Sequence, residues 1–138
     1  MSNPRLESKR VLIVDDDEDI LGSIDLVMRA EGAETTTVTD GNAAVSFIHS
    51  TRPDVVVLDM MLPKRSGFLV LEKIKSEPDA PVIVMITANQ GKRHMAYAKT
   101  LGVDAYLTKP VSLQRLVDTV VELLDRPPGG DQERAAAG

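Results

Sequence analysis

The sequence predicts an α/β fold built on a doubly wound parallel sheet, and three observations carry that prediction. Residues 11–14, 55–58 and 82–86 are short, unbroken apolar runs rich in valine and isoleucine, the composition of strands buried on both faces. Segments with helical spacing of apolar residues separate them, so strand and helix alternate through five units, joined by right-handed crossovers with helices on both faces. The strands also end in residues that carry chemistry: Asp15 and Asp16, Asp59, Thr87 and Lys109. In open sheets of this kind, ligands bind beyond the carboxyl ends of the strands.

In chain order, residues 1–9 are polar and read as a flexible arm, so the folded domain is expected over residues 10–126. Val11-Leu12-Ile13-Val14 is the first strand, closing at Asp15-Asp16-Asp17. Ile20, Ile24, Val27 and Met28 follow at helical spacing, and Gly32 is placed to stop that helix. Residues 33–39 are rich in β-branched side chains and read as a strand near a sheet edge, where threonine tolerates water. Asp40-Gly41 turns the chain into a second helix carrying Ala44, Val45, Phe47 and Ile48, which ends before Pro53. The third strand lies between Asp54 and Asp59, and Pro63 and Gly67 shape the loop beyond it. A third helix over 67–76 takes Leu69, Val70, Leu71 and Ile74 as its apolar positions. Pro81 leads into a fourth strand over 82–87, and residues 89–101 are helical with a polar face. Residues 105–108 make a short fifth strand ending at Lys109-Pro110. The last helix, 112–125, has Ser112 as its N-cap and Leu113, Leu116, Val117, Val120, Val121 and Leu124 as apolar positions. Arg126-Pro127-Pro128-Gly129-Gly130 breaks it, and residues 127–138 are expected to be a disordered tail or the stub of a linker.

Composition narrows the function. A chain of 138 residues, 43% hydrophobic and 27% charged, has the makeup of one globular domain with one sizeable core. Cysteine is absent, which removes disulfides, thiolate metal sites and cysteine nucleophiles, and fits a cytoplasmic setting. No apolar run is long enough to cross a bilayer, and the polar start does not have the pattern of a signal peptide. A net charge of −5 argues against nucleic-acid binding by this domain. Two Phe, two Tyr and no Trp supply little surface for stacking bases or a flavin.

The strand ends define the candidate site. Asp15, Asp16 and Asp59 give three carboxylates, Thr87 a hydroxyl and Lys109 an ammonium, all at one edge of one sheet. Carboxylates without Cys or His partners suit a hard cation with oxygen ligands, and Mg2+ fits best. Three clustered acids without a cation repel one another, which raises at least one pKa. An aspartate beside a metal, a lysine and a threonine has the parts that phosphoryl transfer uses. Each member also has a plainer reading: the acids as helix caps, Lys109 as a surface lysine, Thr87 as a strand residue.

These motifs, taken together and in order, resemble a response-regulator receiver domain of two-component signalling, over about residues 9–125. The resemblance implies a flavodoxin-like, five-stranded sheet of order 2-1-3-4-5 with five helices. It places the acidic pair on Asp15 and Asp16, the phosphoacceptor on Asp59 within Asp-Met-Met-Leu-Pro, the hydroxyl on Thr87 and the lysine on Lys109. It further implies that Met61 offers its backbone carbonyl to the metal, that Tyr106 is an aromatic switch residue, and that the Lys109-Pro110 bond is cis. The implied function is a phosphorelay switch, not an enzyme with a released product. A sensor histidine kinase or histidine phosphotransfer protein phosphorylates Asp59 with Mg2+. Thr87 and Tyr106 then move, reshaping the surface of helix four, strand five and helix five, through which a homodimer could also form. Lys92, Arg93 and His94 precede that surface and read as a solvated basic face. The cognate kinase, the effector, and whether the receiver stands alone or was cut from a longer chain are left open.

Three other readings compete. A haloacid-dehalogenase-type phosphatase also forms an aspartyl phosphate, and Asp15-Asp16-Asp17 imitates its Asp-x-Asp motif, but Glu18 follows and no acidic pair comes after Lys109. A flavodoxin-type cofactor binder needs a phosphate-binding loop after the first strand, where this chain is acidic. A receiver that is never phosphorylated and serves only as an interaction module has the same fold.

Overall fold

The computed structural model describes residues 4–88 and 91–125. Five strands, Arg10–Val14 (β1), Glu34–Val38 (β2), Val55–Asp59 (β3), Val82–Thr87 (β4) and Ala105–Thr108 (β5), alternate with five helices. The helices are Glu18–Ala30 (α1), Gly41–Thr51 (α2), Gly67–Lys75 (α3), Lys92–Thr100 (α4) and Leu113–Leu124 (α5). All strand pairs are parallel, in the order β2-β1-β3-β4-β5. The expected fold class and strand order are therefore what the chain adopts.

The period-2 alternation of strand side chains divides the core in two. Val11, Ile13, Val55, Val57, Val84 and Ile86 pack with Leu21, Ile24 and Met28 of α1 and Leu116, Val117, Val120 and Leu123 of α5. Leu12, Val14, Val56, Leu58, Ile83 and Met85 pack with Ala44, Val45 and Ile48 of α2, Val70, Leu71 and Ile74 of α3 and Ala98 of α4. Burying a side chain of this size stabilises the fold by roughly 1.5–3 kcal/mol, so two full layers are what hold the sheet. Helix α4 packs lightly on the sheet, because Ala98 is its single buried residue. The second strand is an edge strand, and its threonines are half-exposed or exposed as anticipated.

Helix boundaries follow local chemistry. Asp17, Asp40, Ser66 and Ser112 cap α1, α2, α3 and α5, each accepting a backbone N–H of the first turn. Gly32, at φ 91°, takes the left-handed turn after α1 that a side chain would resist.

Several expectations need correction. Residues 4–9 are no loose arm: Leu6 is 1% exposed in the layer shared with α1 and α5, and its N–H donates to the Glu31 carbonyl at 2.8 Å. Arg5 adds ion pairs to Glu31 at 3.4 Å and Asp118 at 3.0 Å, tying α1 to α5. Leu69 is 55% exposed rather than a core residue, because Gly67, Val70, Leu71 and Ile74 already fill the inward face of a short helix. Leu113 is likewise partly exposed, while Leu21 and Leu123 turn inward. The helix expected over 89–101 is seen from Lys92, with Asn89 and Gln90 outside the described residues, as are Arg126 and the tail over 127–138.

Candidate functional site

The sheet register brings the strand ends together. Val14 pairs with Leu58 across β1 and β3, so Asp15 and Asp59 follow side by side. Their oxygens and one from Asp16 lie within 4.8 Å of one another. Asp15 is fully buried and Asp59 is 4% exposed, whereas Asp16 faces solvent. Asp17 is separate from them, its carboxylate being engaged by Asp19 and Ile20 N–H groups as the cap of α1.

Lys109 reaches the acids from beyond β5. Its N–H donates to the Thr87 carbonyl at 2.7 Å, and the peptide bond to Pro110 is cis, as the resemblance implied. Its ammonium lies 3.1 Å from Asp15 Oδ2 and 3.3 Å from Asp59 Oδ1. The other oxygen of Asp15 accepts the Asp17 N–H at 2.9 Å. Asp15 is thus spoken for on both sides, while Asp59 has one cation that it shares.

The electrostatics follow from this crowding. Burial, followed by the Asp15 charge, pushes the Asp59 carboxyl up to about 6, and Lys109 offsets only part of the rise. For Lys109, burial opposes the charged form, but the hydrogen bond to Asp15 and the charge of Asp59 outweigh it and leave the pKa raised. The ammonium stays charged and the Asp59 carboxylate is the strained member of the set.

The loop after β3 is held close to its strand. Gly67 N–H donates to the Met60 carbonyl at 2.8 Å, and a Cβ at Gly67 would collide with the Asp59 carbonyl oxygen and the Met60 backbone. Only glycine permits that approach. Met61 lies just after Asp59 in this loop with its side chain 68% exposed.

Thr87 ends β4 one residue beyond Ile86, the register partner of Asp59, and is fully buried. Its hydroxyl donates to the Met60 sulfur at 3.8 Å and shares a hydrogen bond with the Tyr106 hydroxyl. Tyr106 is half-buried against the layer covered by α2, α3 and α4, and that burial holds its phenol pKa up. Lys92 and Arg93 are exposed, as a solvated face requires. His94 is engaged more closely: its ring stacks on Phe68 at 5.8 Å, and Tyr97 meets the same ring edge-on at 5.1 Å.

Asp15, Asp16, Asp59, Thr87 and Lys109 are therefore brought to one sheet edge. The residue that sequence reasoning missed is Met60, whose sulfur contacts Thr87. Nothing in its spacing or type marks it, since a methionine after a buried strand reads as core. The acids form an all-oxygen ligand set with two members sheltered from water, and that donor chemistry fits Mg2+ rather than a soft metal. Asp59 is placed to act as a carboxylate nucleophile whose charge is only partly neutralised.

Comparison with known proteins agrees with this fold. The family model described as the response regulator receiver domain matches residues 11–121. The chain is 39% identical over 116 residues to the probable transcriptional regulatory protein TcrX of Mycobacterium tuberculosis, covering 84% of this chain and 50% of that one. It is 38% identical over 123 residues to the sensory transduction protein RegX3 of Mycobacterium bovis, covering 89% and 53%. The chain thus spans about half the length of these curated relatives. Among solved structures, a CheY-like response regulator receiver domain protein from Methanospirillum hungatei superposes with a TM-score of 0.82 at 28% identity, covering 92% of this chain and 99% of that one. A putative response regulator from Chloroflexus aurantiacus gives a TM-score of 0.81 at 30% identity, covering 87% and 100%.

Proposed function

The chain belongs to the response regulator receiver domain family of two-component systems, and from that premise we propose that it is a switch thrown by phosphorylation of Asp59. The observation that carries this reading is the setting of Asp59: a sheltered carboxylate at the carboxyl end of β3, 3.3 Å from the Lys109 ammonium and grouped with two further acids. A sensor histidine kinase or a histidine phosphotransfer protein is the donor. The phosphorus–nitrogen bond of its phosphohistidine breaks as a phosphorus–oxygen bond forms to the Asp59 carboxylate, and the imidazole leaves.

Asp15, Asp16, Asp59 and the Met61 carbonyl would hold Mg2+, which supplies positive charge to the phosphoryl oxygens when bound. Lys109 adds a fixed ammonium beside the acceptor oxygen. The close turn at Gly67 keeps Asp59 in place. The transferred group brings about two negative charges and new acceptors, to which Thr87 turns, drawing Tyr106 with it. The α4-β5-α5 surface changes in consequence and meets the effector or a second copy of the chain. Phosphorylation and its reversal are the chain's own chemistry, with no foreign substrate turned over. In this reading the domain works in the cytoplasm through protein partners. Among the described residues no helix is long and apolar enough to cross a bilayer.

Acetyl phosphate with Mg2+ should add one phosphoryl group to the intact wild-type protein by mass, and none to Asp59→Asn. Asp54→Asn, at the opposite end of the same strand, should label as wild type does. Equal labelling of Asp59→Asn would contradict the assignment.

A further inference from the structure

Asp17 closes the acidic run after β1 yet stands outside the cluster that Asp15, Asp16 and Asp59 form. Its side chain is committed to the helix that follows. One carboxylate oxygen accepts the Asp19 N–H at 3.0 Å and the Ile20 N–H at 3.2 Å. Its carbonyl accepts the Leu21 N–H at 2.9 Å, the bond with which a cap residue opens a helix. Three bonds thus hold the backbone of Asp17 in the extended conformation of a cap, at φ −86° and ψ 109°.

The N–H of the same residue serves the acids. It donates to Asp15 Oδ1 at 2.9 Å, while the Lys109 ammonium holds Oδ2 at 3.1 Å. With a bond to each oxygen, the plane of this buried carboxylate is fixed. Asp15 and Asp16 are also the two residues immediately before Asp17, so two of the three clustered acids are anchored where Asp17 is anchored. Ligands oriented by outer partners hold a metal more tightly, because their geometry is set before the ion arrives.

We propose that Asp17 is a positioning residue of the cation site, acting through its cap on α1: the side chain fixes the peptide, and the peptide N–H fixes Asp15 for Mg2+. The inference rests on Asp15, Asp16 and Asp59 holding the ion, and it gives the third acid of the run a role other than ligand or charge. Substitution separates the charge from the cap. Asn and Ser lose the charge and keep an oxygen able to accept the first-turn N–H groups, whereas Ala and Gly lose both. Gly is tolerated at a helix start far better than Ala, so it removes the tether with little loss of fold.

The test titrates Mg2+ into the full chain, well below its melting transition, and follows backbone-amide NMR, with circular dichroism showing each variant folded at that temperature. Asp17→Asn and Asp17→Ser should bind Mg2+ within about twofold of each other, since both lose the same exposed, screened charge. Asp17→Ala and Asp17→Gly should bind roughly three- to tenfold more weakly than Asp17→Asn. That is less than the loss of an orienting partner outright, because the N–H is loosened and not removed. A cap that served helix stability alone would lower the melting midpoint in chelator and leave the Mg2+ affinity of the folded chain unchanged. Equal affinity in all four variants would overturn the proposal: below wild type it would make Asp17 a charge alone, and at the wild-type value a matter of folding alone. Asp17→Gly binding as tightly as Asp17→Asn would overturn it even if Asp17→Ala did not fold. A wild-type chain that binds no Mg2+ would remove the cation site and this inference with it. Binding by wild type that is unaltered in the Ala and Gly variants would remove the inference and leave the site standing.

Discussion

The two edges of the sheet use the same residue types to opposite ends. At the amino edge, Asp54 accepts the Arg10 N–H at 2.8 Å, and its own backbone pairs with Arg10 and Val82. Asp104 accepts both the Lys75 ammonium at 2.7 Å and the Ile83 N–H at 2.8 Å, and Lys75 donates again to the Pro81 carbonyl at 2.9 Å. Charge there is matched group for group. At the carboxyl edge three acids cluster, one lysine pairs with only Asp15 and Asp59, and the Asp59 carboxyl is pushed up to about 6. The amino edge is built to hold, whereas the carboxyl edge keeps repulsion in reserve that a cation or a proton can relieve. The same Asp→Asn change should therefore have opposite signs at the two edges.

The largest effect is expected from the strap at the amino edge. Leu6→Ala removes a fully buried side chain between α1 and α5 and should cost about 3 kcal/mol in urea unfolding. A variant as stable as wild type would mean that residues 4–9 are held by their polar contacts alone. Asp104→Asn should come next, at about 2 kcal/mol, since it leaves the largely buried Lys75 ammonium without its partner charge. Neutral or increased stability there would erase the distinction between the edges.

The smallest effect is the inverted one. Without a divalent cation at neutral pH, Asp59→Asn should stabilise the fold by on the order of 1 kcal/mol, because it removes one like charge and keeps the shape. The sign can be checked by pH. The folded state holds the Asp59 proton more tightly than the unfolded chain, whose value is near 3.8. The associated stability is full below 3.8 and is lost as pH rises through about 6. In chelator, wild type should therefore lose ground to Asp59→Asn between pH 4 and 7, and a constant difference across that window would refute the crowding.

How far the sequence discloses this contrast depends on the kind of contact. Strand ends are legible because an apolar run such as Val-Val-Val-Leu has to stop, and in a parallel sheet its last residues share one edge. Asp15, Asp59, Thr87 and Lys109 were found in that way. Contacts between residues of ordinary type are not legible. Leu6 follows a polar start and has no periodic partners, so its burial depends on where α1 and α5 happen to meet. Leu69 is apolar at a plausible helical position, yet a nine-residue helix has room for only one inward stripe. The sulfur of Met60 reaches Thr87 only because the loop closes at Gly67, a tertiary fact with no spacing signature. Asp104 reads as a loop acid until β4 and Lys75 are placed beside it.

The central claim is that Asp15, Asp16 and Asp59 share one cation-binding site whose repulsion Mg2+ relieves. Thermal melts of wild type and Asp59→Asn, each with Mg2+ and with a chelator, test it most directly. Mg2+ binding only the folded state should raise the wild-type midpoint, and should raise that of Asp59→Asn less, because one ligand is gone. A wild-type midpoint indifferent to Mg2+, or an Asp59→Asn midpoint that rises as much as wild type's, would contradict a shared site.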